Sequence, residues 1–402
     1  MKVINRKLYS NRVRPFIDKG VIKVLTGQRR VGKSYILFQL IDEIKNKNPN
    51  AHIIYINKEL DEFKAIKTDE DLSAYLQEQI IDTRANYLFI DEVQDIEHFE
   101  NTLRSLQAKE QCDIFITGSN AKMLSGELST YLSGRYVEFP IHSLNYLEFL
   151  EFHKLDDNDD SLRKFLTYGG LPHLSRLELS DEVAFEYLKN VYSTILLKDV
   201  VSRENIRNVG FLETLADYLA DNVGNLFSAN NIHKFLKSQR VDMSVNIIIN
   251  YLNALGNAYL INKVPRMDIK GLKKFEIGDK YYFEDLGLRN CKQQLEFAND
   301  IGKLMENAVY QHLKTHNYKV YVGKIDDLEI DFVGIKNDNR VYIQVAYLLH
   351  DEKTKEREFG NLLKIENNYP KYVVTLDSFS SGSNYKGIKQ IHLREFLKAH
   401  DY

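Results

Sequence analysis

The sequence predicts an α/β protein whose first part is a parallel sheet with helices on both faces. Three observations carry that prediction. Strand-like apolar runs alternate with helical patterns up to about residue 140, a glycine-containing turn at 27–34 joins the first run to a helix, and a later run ends in two carboxylates, Asp91 and Glu92. A strand pairing parallel with its neighbour needs a crossover connection, usually a helix, so the alternation itself signals the sheet.

In order, Val21-Ile22-Lys23-Val24-Leu25-Thr26 reads as a short buried strand and Tyr35-Ile36-Leu37-Phe38-Gln39-Leu40-Ile41 as helix. Between them Gly27-Gln28-Arg29-Arg30-Val31-Gly32-Lys33-Ser34 spells G-x-x-x-x-G-K-S/T. Gly27 and Gly32 let the backbone turn its N–H groups toward a polyphosphate, and the helix N-terminus adds partial positive charge. Lys33 is placed to reach the β- and γ-phosphates, and the Ser34 hydroxyl to hold Mg²⁺. Further strands are expected at 51–57, 87–91, 113–117 and 136–140. Tyr87-Leu88-Phe89-Ile90 leads into Asp91, a candidate for the Mg²⁺ shell, and Glu92, a candidate to polarise the attacking water. The strand at 113–117 runs into Gly118-Ser119-Asn120, where Ser119 could sense a terminal phosphate. Arg135, just before the last strand, is a candidate charge stabiliser from its own subunit or a neighbour. In open parallel sheets ligands bind at the carboxyl ends of strands, where the phosphate loop, Asp91, Glu92 and Ser119 all fall. ATP and Mg²⁺ are the expected ligands.

At 402 residues the chain exceeds one ordinary core. The expected division is a P-loop ATPase domain at 1–142, a helical lid or linker at 143–205, a third domain at 206–290 and a fourth at 291–402. A net charge of −3 excludes a uniformly basic nucleic-acid binder, so any such contact is local. The two cysteines, Cys112 and Cys291, are too few for a disulfide framework or a zinc cluster and suggest a reducing compartment. The start Met1-Lys2-Val3-Ile4-Asn5-Arg6 is not a signal peptide, and no run is long and apolar enough to span a membrane. The expectation is a cytoplasmic protein. Asp156-Asp157-Asn158-Asp159-Asp160 reads as a solvated connection, and Tyr168-Gly169-Gly170-Leu171-Pro172 as a turn between helices.

Three helical patterns, near 211–219, from Ser228 and over 245–252, precede strand-like runs at 258–264 and 280–283, the order of a winged helix-turn-helix. No acid lies between Asn222 and Val241, which contain Lys234, Lys237 and Arg240. The hairpin adds Lys263, Arg266, Lys270, Lys273 and Lys274 against Asp268. This basic patch is the best candidate surface for a DNA backbone.

After 291, a helix from Ile301 to Leu313, strands at 319–323, 329–335 and 341–349, a charged helix at 352–367 and a strand at 371–377 follow the order of restriction-endonuclease-like folds. Such nucleases use a helix Glu, a strand Asp and an acid-x-Lys on the next strand to bind metal and activate water. Glu306 and Asp331 fit the first two places, but the third reads Gln344-Val345-Ala346. Ala346 offers no cation, so a weakened or absent nuclease site is expected. His312 and His316 share a helix face without a third ligand, and read as surface decoration with no metal role.

These residues together resemble a prokaryotic family of AAA-like ATPases with a C-terminal domain of unknown function, related to archaeal-type ATPases. The resemblance covers nearly the whole chain. It rests on residues 27–34, Phe89-Ile90-Asp91-Glu92-Val93-Gln94, Thr117-Gly118-Ser119, Ser133-Gly134-Arg135 and Tyr168-Gly169-Gly170-Leu171-Pro172. Farther on it rests on Tyr282-Phe283-Glu284-Asp285-Leu286-Gly287-Leu288, Glu306-Asn307 and Glu329-Ile330-Asp331-Phe332. It implies ATP binding and a nuclease-like C-terminal domain, from which this chain departs at Gln344 and Ala346. The function expected is a Mg²⁺-dependent ATPase whose nucleotide state controls the winged-helix and nuclease-like modules, acting on DNA and assembling as a homo-oligomer. The alternatives are a nucleotide-gated switch for a macromolecular partner with little turnover, and an active DNA nuclease.

Overall fold

The computed structural model describes residues 4–125, 132, 134–238, 241, 243–274, 278–293, 296–349, 352–377 and 382–402. The chain divides into two compact units, Met1–His142 with Asn257–Tyr259, and Ser143–Gly256 with Leu260–Tyr402.

In the first unit, α1 (Lys7–Val13) precedes β1 (Ile22–Thr26), α2 (Lys33–Lys47), β2 (His52–Asn57), α3 (Asp69–Gln79), β3 (Asn86–Asp91), α4 (Phe99–Ala108), β4 (Asp113–Gly118) and β5 (Tyr136–Pro140). The five strands are parallel in the order β2-β3-β4-β1-β5. Every residue of β1 and β3 is buried, so both faces of the sheet are covered there. That is why these strands read as mainly apolar runs, with Lys23 of β1 buried against Asp113. On one side Ile54, Ile56, Leu88 and Ile90 share a core with Leu72, Leu76 and Leu103 of α3 and α4. Each such buried side chain contributes roughly 1.5–3 kcal/mol. Phe89 and Phe115, paired across β3 and β4, stack with ring centroids 4.4 Å apart. Helix α3 starts where Thr68 and Asp71 form a reciprocal capping box. Because β4 is inserted between β1 and β3, its carboxyl end falls between the glycine-containing turn and Asp91-Glu92.

The second unit opens with α5 (Tyr146–His153), α6 (Asp159–Tyr168) and α7 (Asp181–Thr194), whose π-helical continuation is Ile195–Ser202. Then come α8 (Val209–Asp221), α9 (Ala229–Ser238), α10 (Val245–Asn257), β6 (Ile261–Val264), β7 (Arg266–Asp268), β8 (Lys280–Phe283), α11 (Leu286–Asn290) and α12 (Phe297–Thr315). The remainder is β9 (Lys319–Ile325), β10 (Leu328–Lys336), β11 (Asn339–Val345), α13 (Glu352–Leu363), β12 (Lys371–Thr375), β13 (Asn384–Tyr385), β14 (Ile388–His392) and α14 (Leu393–Lys398). β6 and β8 form an antiparallel pair. A seven-stranded mixed sheet runs β13-β14-β12-β11-β10-β9-β7. The short strand β7 therefore leaves the hairpin and pairs parallel with β9, a long-range pairing that local pattern does not encode.

Two glycine turns meet in this unit. Asp285 accepts hydrogen bonds from the backbone N–H groups of Gly170 and Leu288, at 2.8 and 3.1 Å. A side chain on Gly170 would stand 2.3 Å from the Leu144 carbonyl oxygen, and one on Gly287 2.0 Å from that of Tyr168. Close backbone approach explains both motifs without any chemistry. The acidic stretch at 156–160 is exposed along its whole length, as the solvated connection expected there should be. Asn158 caps α6, while Asp157 accepts from the Tyr146 hydroxyl and from Lys398 Nζ at 2.6 Å. Its cation comes from the far end of the chain. No helix among the described residues is long and apolar enough to cross a membrane.

Candidate functional site

The glycine-containing turn sits at the carboxyl end of β1, and its geometry depends on its glycines. Gly27 has φ 143°, and a side chain there would lie 2.1 Å from the Ile141 carbonyl oxygen. Gly32, at φ 96°, enters α2 from the left-handed region. Arg30 takes φ 72° without being glycine. The buried Arg6 holds the loop from outside, donating from Nη1 to the Val31 and His142 carbonyls at 2.9 and 3.0 Å. Gln28 donates its amide to the Tyr259 carbonyl at 2.8 Å, and Arg29 pairs with Glu59 at 3.1 Å. Both side chains are thereby engaged by protein groups, and the part of the loop that faces a ligand is backbone.

Lys33 is buried, and its Nζ donates to the carbonyls of Gly27 at 2.9 Å and Gln28 at 3.0 Å. Its nearest carboxylate, Glu92, stands at 3.7 Å. An ammonium satisfied mainly by neutral carbonyls can exchange them for phosphate oxygens at little cost. Ser34 hydrogen-bonds the Asp91 carboxylate, to which Thr117 donates at 2.5 Å and Tyr55 at 3.3 Å. Burial raises the Asp91 carboxyl, and the hydrogen bonds from Ser34 and Thr117 oppose it.

Glu92 sits in the left-handed region at φ 58°, a strained position for a non-glycine residue. Ser119 and Gln94 donate to its Oε2 at 2.8 and 2.5 Å, and its own N–H donates to Thr117 Oγ1 at 3.0 Å. Burial works against its charge, but Lys33, Arg29 and the two side-chain donors outweigh burial and hold the carboxyl at about 2. A fixed, ionised carboxylate therefore faces the phosphate loop. Ser119 reaches the site by holding Glu92. The roles of Thr117, Gln94, Tyr55 and Arg6 were not read from the sequence. Gln94, two residues after Glu92, is the one that a local pattern could have signalled.

Arg135 is not part of this constellation in its own subunit. It immediately precedes β5, which pairs parallel with β1 in the register Ile22 to Tyr136 and Thr26 to Pro140, and its carbonyl accepts the Ile22 N–H. It thus lies at the amino end of the sheet, and the phosphate loop at the carboxyl end. Five residues of strand separate them by roughly 16 Å. Ser133 lies outside the described residues. The local cation beside Glu92, apart from Lys33, is Arg29.

In the second unit Glu306 of α12 and Asp331 of β10 do come together, through a lysine that sequence reasoning missed. Lys280 Nζ lies 2.8 Å from Glu306, 2.8 Å from Glu329 and 3.4 Å from Asp331, and is almost fully buried. Burial disfavours its charge, but Glu306, Asp331 and Glu329 outweigh burial and raise its pKa. Tyr282 donates to Glu306 Oε1 at 2.5 Å, and the Val345 N–H donates to Asp331 Oδ2 at 2.8 Å. Gln344 Oε1 accepts the Asp331 N–H at 3.3 Å. Ala346 is buried among apolar side chains. Of the basic patch, Lys270 pairs with Asp326 at 2.7 Å, Lys263 pairs with Asp279 at 2.9 Å, and Lys274 lies over the Tyr321 ring. Arg240 lies outside the described residues. His312 and His316 are buried, contrary to a surface reading. His312 Nε2 faces the Ala399 carbonyl at 3.0 Å and His316 Nδ1 the His312 carbonyl at 2.9 Å, because the C-terminal segment covers that helix face.

Residues 19–150 match the family model described as an AAA domain, and residues 159–299 one described as a domain of unknown function, DUF8612. An uncharacterised protein of Haemophilus influenzae is 35% identical over 402 residues, covering 98% of each chain. One of Methanocaldococcus jannaschii is 33% identical over 376 residues, covering 89% of this chain and 80% of that one. Among solved structures, the Aeropyrum pernix ORC1 protein in complex with DNA aligns at 11% identity and TM-score 0.33, over 75% of this chain and 95% of the other. AMPPCP-bound DnaA from Aquifex aeolicus aligns at 14% identity and TM-score 0.31, over 63% and 93%.

Proposed function

The chain belongs to one family with the uncharacterised Haemophilus and Methanocaldococcus relatives and carries an AAA domain at 19–150, and from that premise we propose that it binds ATP with Mg²⁺ and hydrolyses it. The observation that carries this reading is the convergence of Lys33, Ser34, Asp91 and the ionised Glu92 at the carboxyl ends of β1 and β3. A triphosphate draws Lys33 away from the Gly27 and Gln28 carbonyls and lies along the loop N–H groups. Ser34 and Asp91 would hold the metal, which would neutralise charge on the phosphates. Their mutual hydrogen bond already sets a hydroxyl and a carboxylate oxygen side by side, as that ion requires. Glu92, fixed by Ser119 and Gln94, accepts a hydrogen bond from water and aims it at the terminal phosphorus.

We read α8, α9 and α10 with the β6-β8 hairpin as a winged helix-turn-helix at 206–290, and residues 291–402 as a restriction-endonuclease-like module. In support, β6 and β8 pair as a hairpin after three helices, and α13 connects the parallel strands β11 and β12. Nucleotide state controls these modules, and DNA is the partner that the remaining basic residues fit. The residues at 143–205 act as a helical lid or linker. The test is single-turnover ATP hydrolysis with and without DNA, together with equilibrium nucleotide binding. Acceleration of several-fold on DNA is expected. Tight binding with negligible turnover under both conditions would replace the ATPase reading by the nucleotide-gated switch.

A further inference from the structure

The first unit contains three residues that chain order alone does not put there. Asn257, Ala258 and Tyr259 belong to it, although Ser143–Gly256 before them and Leu260–Tyr402 after them belong to the second unit. Asn257 ends α10 and Ile261 opens β6, so the return falls at the joint between a helix and a strand. Two hydrogen bonds hold it. The Gln28 Nε2 donates to the Tyr259 carbonyl at 2.8 Å, and the Ala121 N–H donates to the Asn257 carbonyl at 2.9 Å, a helix-end oxygen that has no partner within its own helix. Each donor lies one step from a group of the phosphate site. The Gln28 carbonyl accepts from Lys33 Nζ at 3.0 Å, and Ala121 stands two residues beyond Ser119, which donates to Glu92 at 2.8 Å. The joint itself is strained. Tyr259 takes φ 54°, at the left-handed position after α10 that glycine usually fills, where the Leu260 N–H closes the turn on the Leu255 carbonyl at 3.0 Å. Gln28 is wholly buried, yet its Oε1 has no hydrogen-bond partner. A strained backbone tied to a buried amide left half satisfied is the mark of a segment with a second arrangement close in free energy.

We propose that residues 257–259 are the relay that reads the nucleotide site, and that a bound triphosphate alters the Gln28 and Ala121 hydrogen bonds and so resets the end of α10 and the start of β6. The relay rests on the nucleotide reading above, and it supplies the regulation of that site. A triphosphate that draws Lys33 from the Gln28 carbonyl releases the peptide whose side chain holds Tyr259. A terminal phosphate and its attacking water engage Glu92, and through it Ser119, which leads to the Ala121 donor. The two bonds therefore answer to different groups. One follows occupancy by any polyphosphate that reaches Lys33, and the other follows the terminal phosphate, so a diphosphate and a triphosphate act on the joint unequally. A ligand shifts such an equilibrium only by its differential interaction with the two arrangements, and one hydrogen bond made in only one of them shifts it roughly two- to tenfold.

The test is amide hydrogen exchange of the full-length protein without nucleotide, with ADP, and with a non-hydrolysable ATP analogue, each with Mg²⁺. The analogue should slow exchange in the loop at 27–34 and change exchange over 255–264 by about twofold or more. ADP should give a different response from the analogue over 255–264. In Gln28→Ala, compared at nucleotide saturation as judged by the loop amides, the response over 255–264 should be lost. Ala121→Pro, which removes the second donor and lies outside the phosphate site, carries the same expectation where Gln28→Ala does not fold or load. Protection of the loop with no response over 255–264 in the parent overturns the relay alone, as does a parental response in both variants. A loop left unprotected by the analogue overturns the nucleotide reading, and the relay with it.

Discussion

Lys33 and Lys280 are both buried ammonium groups beside carboxylates, yet one sits in a place prepared for an anion and the other in a place that holds a surplus of acid. Lys33 rests on two carbonyls, with its nearest acid at 3.7 Å. Lys280 is held by three carboxylates at 2.8–3.4 Å. The neighbouring acids respond in opposite directions. Glu92 is held at about 2 despite burial, whereas burial raises Glu306 to about 7 even with Lys280 against it. The number of counter-charges per acid decides the outcome, and burial alone does not.

The largest expected effect is on turnover at the first site. Glu92→Gln should lower single-turnover hydrolysis roughly 10²- to 10⁴-fold, the usual contribution of a positioned base, and leave ATP affinity intact. Hydrolysis at the parental rate would move the water-orienting role elsewhere.

Next comes the stability of the second cluster. Lys280→Ala leaves three carboxylates without their cation and should cost about 3–5 kcal/mol, as expected when one partner of a buried ion pair is removed. Denaturant unfolding measures it, and a loss below about 1 kcal/mol, the range of exposed pairs, would mean that water reaches these acids.

Lys33→Ala should behave the other way, weakening ATP binding by about 10- to 100-fold with a smaller stability change, since a charge-assisted hydrogen bond contributes about 1.5–3 kcal/mol. Calorimetry checks it. Unchanged affinity would show that the loop N–H groups bind the phosphates without the lysine.

The pH dependence sharpens the contrast. Glu306 favours the folded state when neutral, so its contribution is complete below its ordinary value of 4.5 and is lost as pH rises through about 7. Glu92 contributes above 4.5 and loses its contribution as pH falls toward about 2. Glu306→Gln should therefore flatten the decline in unfolding free energy between pH 4.5 and 7, and an unchanged slope there would assign the decline to other groups.

The smallest effect belongs to Arg135→Ala, which should leave stability within about 0.5 kcal/mol and hydrolysis at high dilution unchanged. If the parent's specific rate rises with protein concentration and the variant's does not, the arginine acts on a neighbouring copy.

Local chemistry made the first site legible. The residues 27–34 and the pair Asp91-Glu92 are contiguous in sequence, and their glycine spacing and strand ends carry the geometry that phosphate binding requires. The central strands β1, β3 and β4 followed from mainly apolar runs, because burial on both faces leaves little room for polar alternation. Sheet order was not written in any run. Only the insertion of β4 between β1 and β3 set Thr117 and Ser119 against Asp91 and Glu92, and only the parallel register of β5 put Arg135 at the wrong end of the sheet. The second cluster depended still more on the tertiary structure. Lys280, Glu306, Glu329 and Asp331 come from two strands and a helix, and Lys280 is one residue of a strand buried along its whole length, with no period to mark it. A sequence records which residues are neighbours along the chain. A charge buried by long-range pairing takes its partners from the fold, so the type and number of those partners, and with them the chemistry, were decided only when the strands met.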